Sequence, residues 1–271
     1  MDSVGRQKYP AKLMQTIIVD GRSKDKTVSV AVNAASRNDL EVEIYSDGGK
    51  GLGTARQTVI DHANGKYLIY VDADVRLFDD FVEKHVNFME ENSEVGVAFG
   101  KPMHQEGTLI STVWDLYHFT AGGFIGTDAT IFRSEALIQA GGFDLSIRGA
   151  GEDVDLINRI KAKGWLTTIN KDARFFHRFK ENFRDFWDEQ LWFGYGDHYR
   201  YHKNGDPGMF IGRLGGSFVF GLRTALKSYD MTHEKISFLI PFQMALRDIA
   251  WWFGLIKGHV DGYGHRKIQY G

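Results

Sequence analysis

Apolar and polar positions alternate along the first two thirds of the chain in blocks that change period. The run from Thr16 to Val19 is apolar and closes in the polar turn "DGRSKDKT", which predicts a short strand. "EVEIYSDGG" alternates with period two and closes at Gly48-Gly49, a second strand. "GTARQTVIDHANG" reads as a helix, with Gly65 a natural stop. "KYLIYVDAD" is a mostly apolar run of the kind buried on both faces of a sheet. "DDFVEKHVNFMEEN" predicts an amphipathic helix and "EVGVAFGKP" another strand, while "TVSVAVNAA" fits helix and strand equally.

The alternation continues through "TDATIFRSEALIQAGGF", read as strand, helix and glycine turn. In "GEDVDLINRIKAKGW", Val154, Ile157 and Ile160 share one helical face and Gly164 is the C-terminal stop. "LTTIN" follows as a short strand. Such a succession predicts an α/β fold with a mostly parallel central sheet and helices on both faces. After about residue 180 the pattern turns helical and aromatic, so the chain divides into a core over 1–180 and a helical region over 181–271.

Composition narrows the chemistry. The chain has no cysteine, which excludes disulfides, thiolate metal sites and a cysteine nucleophile. A net charge of -2 gives no reason to expect nucleic acid as a partner. The N-terminus has no apolar signal core, and the best apolar stretch is interrupted by Arg247 and Asp248, against a spanning helix. Trp251, Trp252 and Phe253 lie between Arg247 and Lys257, so residues 236–257 fit a helix lying in a membrane interface or one packed on the core.

Three polar motifs carry candidate chemistry. Asp72 and Asp74 end the "YLIYVDAD" strand two residues apart, a spacing that aims both to one side of a strand. Close carboxylates repel unless a proton or cation lies between them, and hard oxygen ligands suit Mg²⁺ or Mn²⁺ bridging to phosphates. A turn-capping role is the alternative, but Asp80 with Glu83 has the capping-box spacing. Glu152 and Asp153 begin a helix after "GAG", as helix caps or as a general base and its support. "GGKGLGTAR" lacks the P-loop spacing, yet its glycines, Lys50 and Arg56 suit the approach of a diphosphate; a surface turn fits equally. His177, in "RFFHRF", joins the site only if the fold returns it to the aspartates.

These motifs, in this order, resemble the family 2 glycosyltransferases, inverting enzymes of the GT-A fold, from about Gln7 to about Lys203. "QKYPAKLMQTIIVDGRSKDKT" is similar to the family's second strand and turn, where Asp20 would contact the nucleotide. "GKGLGTARQTVIDHANGKYLIYVDADVRL" is similar to the segment leading into its D-x-D, and "DATIFRSEALIQAGGFD" with "GEDVDLINRIKAKGW" to its acceptor side and E-D motif. The resemblance implies Asp74 as main metal ligand, Asp72 as metal or nucleotide contact, and Asp153 as base supported by Glu152. It also implies His177 as a further ligand near the diphosphate. The usual first strand and helix are missing before "QKYP", which leaves a strand edge open. The Q-x-x-R-W motif of processive synthases is absent, which implies transfer of a single sugar. The implied enzyme takes a nucleoside-diphosphate sugar and a glycan or lipid-linked acceptor. It would be cytoplasmic, with peripheral contact to the cytoplasmic membrane face. Donor and acceptor choice would lie in the loop from Gly122 to Asp128 and in the C-terminal region. A non-catalytic or truncated relative that binds nucleotide or a partner, and a nucleotidyltransferase, are the alternatives.

Overall fold

In the computed structural model, which describes residues 1–121, 126–147, 149–205, 213 and 216–263, the predicted blocks become defined elements. They are α1 (Asp2–Gly5), β1 (Thr16–Asp20), α2 (Thr27–Arg37), β2 (Val42–Ser46), α3 (Leu52–His62), β3 (Tyr67–Tyr70), β4 (Val75–Leu77), α4 (Phe81–Glu91) and β5 (Val95–Pro102). There follow α5 (Leu109–Ala121), β6 (Thr130–Arg133), α6 (Ser134–Gln139), α7 (Glu152–Ala162), β7 (Leu166–His177), α8 (Phe183–Asn204), α9 (Ser217–Thr232) and α10 (Ile240–Val260). Of the loop expected to set donor and acceptor choice, residues 122–125 lie outside the described ones.

The elements form two compact units. The first comprises Met1–Met103, Gly123–Arg148 and Glu152–His177; the second comprises His104–Gly122, Gly149–Gly151 and Arg178–Gly271. The last segment of the first unit ends at His177, and the second unit takes in α5.

In the first unit, alternate residues from Val97 to Phe99 of β5 go to opposite apolar layers, and an irregularity between Val95 and Val97 puts Val95 on the Ala98 side. Val97 and Phe99 of β5 join Leu68, Phe132, Leu137, Leu156 and Ile160 on the side of α6 and α7. Ala98 joins Val95, Ile131 and Met89 on the side of α4. The α/β architecture with covered faces is thus as the sequence predicts. The strand directions are more mixed. The five-stranded sheet runs β3-β6-β5-β7-β4, in which only β5 and β7 pair in parallel. The short β4, running from the D-x-D turn onto β7, and β6, entered by a tight turn, both run against their neighbours, while β3, β5 and β7 run in one direction. β1 and β2 pair in parallel as a separate ladder. Among the described residues β1 pairs only with β2, and β3 only with β6.

Two local expectations change. The "LTTIN" strand extends to twelve residues and carries His177 at its end. Asp80 holds the N-cap position of α4 without a side-chain cap bond. The Gln7 side chain serves instead: its Oε1 accepts from the Val82 N–H at 2.9 Å while its Nε2 donates to the Ser3 and Phe78 carbonyls. Long-range capping of this kind leaves no local sequence signature.

The second unit is built on α8, α9 and α10 with α5. Val113, Leu116, Ala225, Ile240 and Met244 form its apolar centre. Gly194 and Gly254 let α8 and α10 meet backbone to backbone. A Cβ at Gly194 would overlap the Trp251 carbonyl, and one at Gly254 the Leu191 carbonyl. Trp251 is fully buried there and donates its indole N–H to Asp197 at 2.8 Å. Among the described residues no helix is long and apolar enough to cross a membrane.

Candidate active site

Strand β3 ends at Tyr70, so Asp72 and Asp74 lie in the turn before β4 rather than on a strand; the Val75 N–H donates to the Asp72 carbonyl at 3.1 Å. What gathers their surroundings is register. Tyr70 lies opposite Thr130 in the antiparallel β3–β6 pair, so the chain two residues before Thr130 passes beside the chain two residues after Tyr70. This puts Asp128 against Asp72. Val75 lies opposite His177 in the β4–β7 pair, which returns His177 to the turn. Its Nε2 is 3.6 Å from Asp74 Oδ1 and 3.5 Å from Asp128 Oδ2.

Arg56 enters from α3 and is buried. One guanidinium nitrogen pairs with Glu152, and the other lies 3.2 Å from Asp72 and 3.8 Å from Asp128. The Tyr70 hydroxyl donates to the Arg56 carbonyl at 3.0 Å and fixes α3 to the sheet at this point. Asp153, half-buried beside Glu152, adds its charge to the same field. Among the described residues, four carboxyl groups therefore act on the permanent charge of Arg56, with Asp74 beside His177.

Their protonation reflects that excess. Burial, the hydrogen bond shared with Asp128 and its charge push Asp72 up to about 8, against the pull of Arg56. Burial would raise Asp128 too, but hydrogen bonds from His177 and Asp72 outweigh it and hold it at about 2. The two titrate as one pair, and burial and their mutual charge favour holding one proton between them. Burial and then Asp153 push Glu152 up to about 7, again against Arg56. Arg56 itself rises despite burial, because Asp72, Glu152, Asp153 and Asp128 all favour its charge. Ala129, next to Asp128 and fully buried, has φ 48, a left-handed conformation uncommon for a residue with a Cβ. The turn that aims Asp128 is thus held by its surroundings.

Carboxylates with one imidazole suit Mn²⁺ or Mg²⁺. Among the described residues these groups do not draw three ligand atoms to one point. A cation here would complete its shell with phosphate oxygens and water, the usual arrangement for Mg²⁺ at phosphate sites.

Asp20 and the glycine loop lie at the carboxyl ends of β1 and β2, whose register places Asp20 opposite Ser46. The Asp20 carboxylate accepts from the Ser23 N–H at 3.0 Å. The buried Asp47 accepts from the Gly49 and Gly51 N–H groups at 2.7 and 3.1 Å, and so shapes the loop that carries the exposed Lys50. The structure brings Arg56, Asp72, Asp74, Glu152 and His177 of the sequence candidates into one network, with Asp153 beside it. It places Asp20 and Lys50 on the neighbouring strand ends. Asp128 and Asp47 were not singled out from sequence. Only the β3–β6 register reveals Asp128, and Asp47 before a Gly-Gly pair is a turn signal rather than a chemical one.

Comparison with known proteins gives one consistent family. The model of glycosyl transferase family 2 matches residues 1–135. An uncharacterized glycosyltransferase of Rickettsia conorii is 29% identical over 175 residues, covering 59% of this chain and 27% of the relative. One of Haemophilus influenzae is 27% identical over 79 residues, 29% of this chain and 32% of the relative. The chain spans about a third or less of the length of the curated relatives it matches. Among solved structures, the mannosyltransferase PcManGT from Pyrobaculum calidifontis, in complex with GDP-Man and Mn²⁺, superposes with a TM-score of 0.66 at 17% identity. That match covers 96% of this chain and 82% of the other. Staphylococcus aureus TarS 1–349 in complex with UDP-GlcNAc gives 0.52 at 14% identity, covering 98% and 88%. These likenesses establish the GT-A fold.

Replacing Arg56 by Met leaves the carboxyl groups without their buried cation. Urea unfolding at pH 8 is expected to show a loss of roughly 3–5 kcal/mol. The loss should shrink at pH 5.5, below the raised values of Glu152 and Asp72, where both bind protons and less charge is left uncompensated. Equal losses at the two pH values would contradict this electrostatic role.

Proposed function

The chain belongs to glycosyl transferase family 2, and we propose that it moves a single sugar from a nucleoside-diphosphate sugar to a hydroxyl acceptor with inversion at the anomeric carbon. The observation that carries this reading is the convergence of Asp72, Asp74, Asp128 and His177 on one side of Arg56, with Glu152 and Asp153 on the same network. A diphosphate leaving group needs its charge met on departure, and an incoming hydroxyl needs its proton taken.

In this reading Asp20 and the glycine loop shaped by Asp47 bind the nucleotide, with Lys50 and Arg56 contributing positive charge toward the diphosphate. Asp72, Asp74 and His177, joined by Asp128, would hold a Mg²⁺ or Mn²⁺ ion. When bound, such an ion supplies positive charge to the departing diphosphate. Asp153 accepts the acceptor proton as its oxygen bonds to the anomeric carbon and the bond to the diphosphate oxygen breaks, with that electron pair leaving on the diphosphate. Glu152 is less suited to the base role, because its carboxyl is 1% exposed and tied to Arg56. It positions Arg56 and raises the negative field at Asp153.

The second part of the reading concerns the acceptor. Helix α10 is apolar on two sides. Ile240, Met244, Trp251 and Leu255 are buried, while Phe242, Leu246, Ile249, Phe253, Ile256 and Val260 are exposed at 39–77%. The exposed six recur at spacings of four and three, a single stripe along the helix. Val219, Leu222 and Leu226 of α9 are exposed as well, with the exposed cations Arg223 and Lys227 on that helix. An apolar stripe flanked by cations suits the interface of an anionic bilayer, where a lipid-linked acceptor would be met.

Asp153→Asn is expected to lower transfer by about 10²–10⁴-fold while donor affinity stays close to wild type. A mutant that transfers sugar at the wild-type rate would remove Asp153 from the base role. The full chain is expected to float with vesicles containing phosphatidylglycerol, and Ile249→Glu with Phe253→Glu to leave it in the soluble fraction. Failure of the wild-type chain to float would exclude the bilayer as the partner of this stripe.

A further inference from the structure

A cluster outside the acidic site has metal-ligating chemistry of a different kind. His198 and His202 are four residues apart on α8, so both rings lie on one side of that helix. His259 comes from the last turn of α10. Each offers a ring nitrogen, and the three nitrogens lie within 4.8 Å of one another. His198 Nε2 is 3.2 Å from His202 Nε2 and 3.4 Å from His259 Nδ1. Two nitrogens bound to one tetrahedral Zn²⁺ at about 2.0–2.1 Å are separated by roughly 3.3–3.4 Å.

The surroundings prepare His198 as a ligand. Its Nδ1 lies 2.6 Å from the Tyr263 carbonyl oxygen, to which it donates a proton. That bond fixes the tautomer and leaves the Nε2 lone pair facing the other two rings, the relation that orients metal-bound histidines elsewhere. Tyr263 is itself held by α8: its ring stacks on Tyr195 at 4.7 Å and meets Tyr199 at 5.2 Å. Gly258 makes the approach possible, since a Cβ there would stand 2.9 Å from the His198 Cβ. A network of N–H···N hydrogen bonds accounts for the arrangement less well. The single lone pair of His198 Nε2 faces two nitrogens, so one hydrogen bond at full strength is the most it can accept. A cation among the three would take a lone pair from each ring.

We propose that His198, His202 and His259 form a three-histidine site for a borderline transition-metal dication of the Zn²⁺ class, built wholly within the helical unit and joining α8 to α10. His198 is buried, while His202 and His259 are exposed, which gives the ion a path in and leaves room for water as a further ligand. Imidazole nitrogens favour Zn²⁺, Co²⁺, Ni²⁺ and Cu²⁺, whereas the carboxylates of the first unit favour Mg²⁺ and Mn²⁺. The two sites would therefore sort cations by ligand chemistry.

The test titrates Co²⁺ into the full chain carrying Asp74→Ala, without nucleotide, and reads visible absorption. One equivalent is expected to bind with the ligand-field bands of a four- or five-coordinate nitrogen site. His202→Ala and His259→Ala, made separately at exposed positions, should each weaken binding at least about tenfold and alter the bands. Zn²⁺ should also raise the unfolding temperature of the parent chain and not of His259→Ala, since an ion bound only by the folded state stabilises it. No Co²⁺ binding, or binding unchanged by both histidine variants, would overturn the site.

Discussion

The candidate site depends on one buried cation. Arg56 is enclosed among Asp72, Asp128 and Glu152, and its guanidinium lies against all three. A guanidinium suits the task because its charge is permanent and its donors fork to several acceptors. Yet among the described residues this one cation does not neutralise the four carboxyl groups that act on it. Part of the excess is relieved by protons, since burial raises Asp72, coupled to Asp128, and Glu152 toward neutrality. A divalent ion bound at this site would displace these protons. The charge that makes it costly to fold is the charge that would recruit cation and diphosphate.

The helical unit follows a different logic. Its helices approach through glycines, and the energy of their contact is apolar and aromatic. Close approach also brings histidines from α8 and α10 to within ligand distance. The same α10 buries one apolar face and exposes another, so packing alone does not account for its sequence. Nitrogen ligands, an apolar outer stripe and the acidic network of the first unit are three separate chemistries on one chain.

Much of this was legible in the sequence because its signals are local. Strand and helix periods placed most elements of the first unit, though not α1 or β4 and with α2 left open, and the order of D-x-D, E-D and His177 pointed to the family. What was hidden is set by pairing register and long-range contact. Asp128 carries no motif of its own; it reaches Asp72 because Tyr70 pairs with Thr130. Asp72 and Asp74 do not share a strand face as their spacing suggests, since β3 stops at Tyr70, although the two still share one site. Gln7 caps α4 from some seventy-five residues away, which no capping pattern around Asp80 could disclose. The histidine cluster joins positions sixty-one residues apart, again invisible to spacing.

The central claim is that the acidic network around Arg56 binds a nucleoside diphosphate through a divalent cation. Calorimetric titration of the unmodified chain with UDP and GDP, each with Mn²⁺ and with chelator, tests it most directly. Binding of one of them with Mn²⁺, lost or weakened at least about tenfold with chelator, is the predicted result. Binding of equal strength without metal, or no binding of either nucleotide in its presence, would contradict the account.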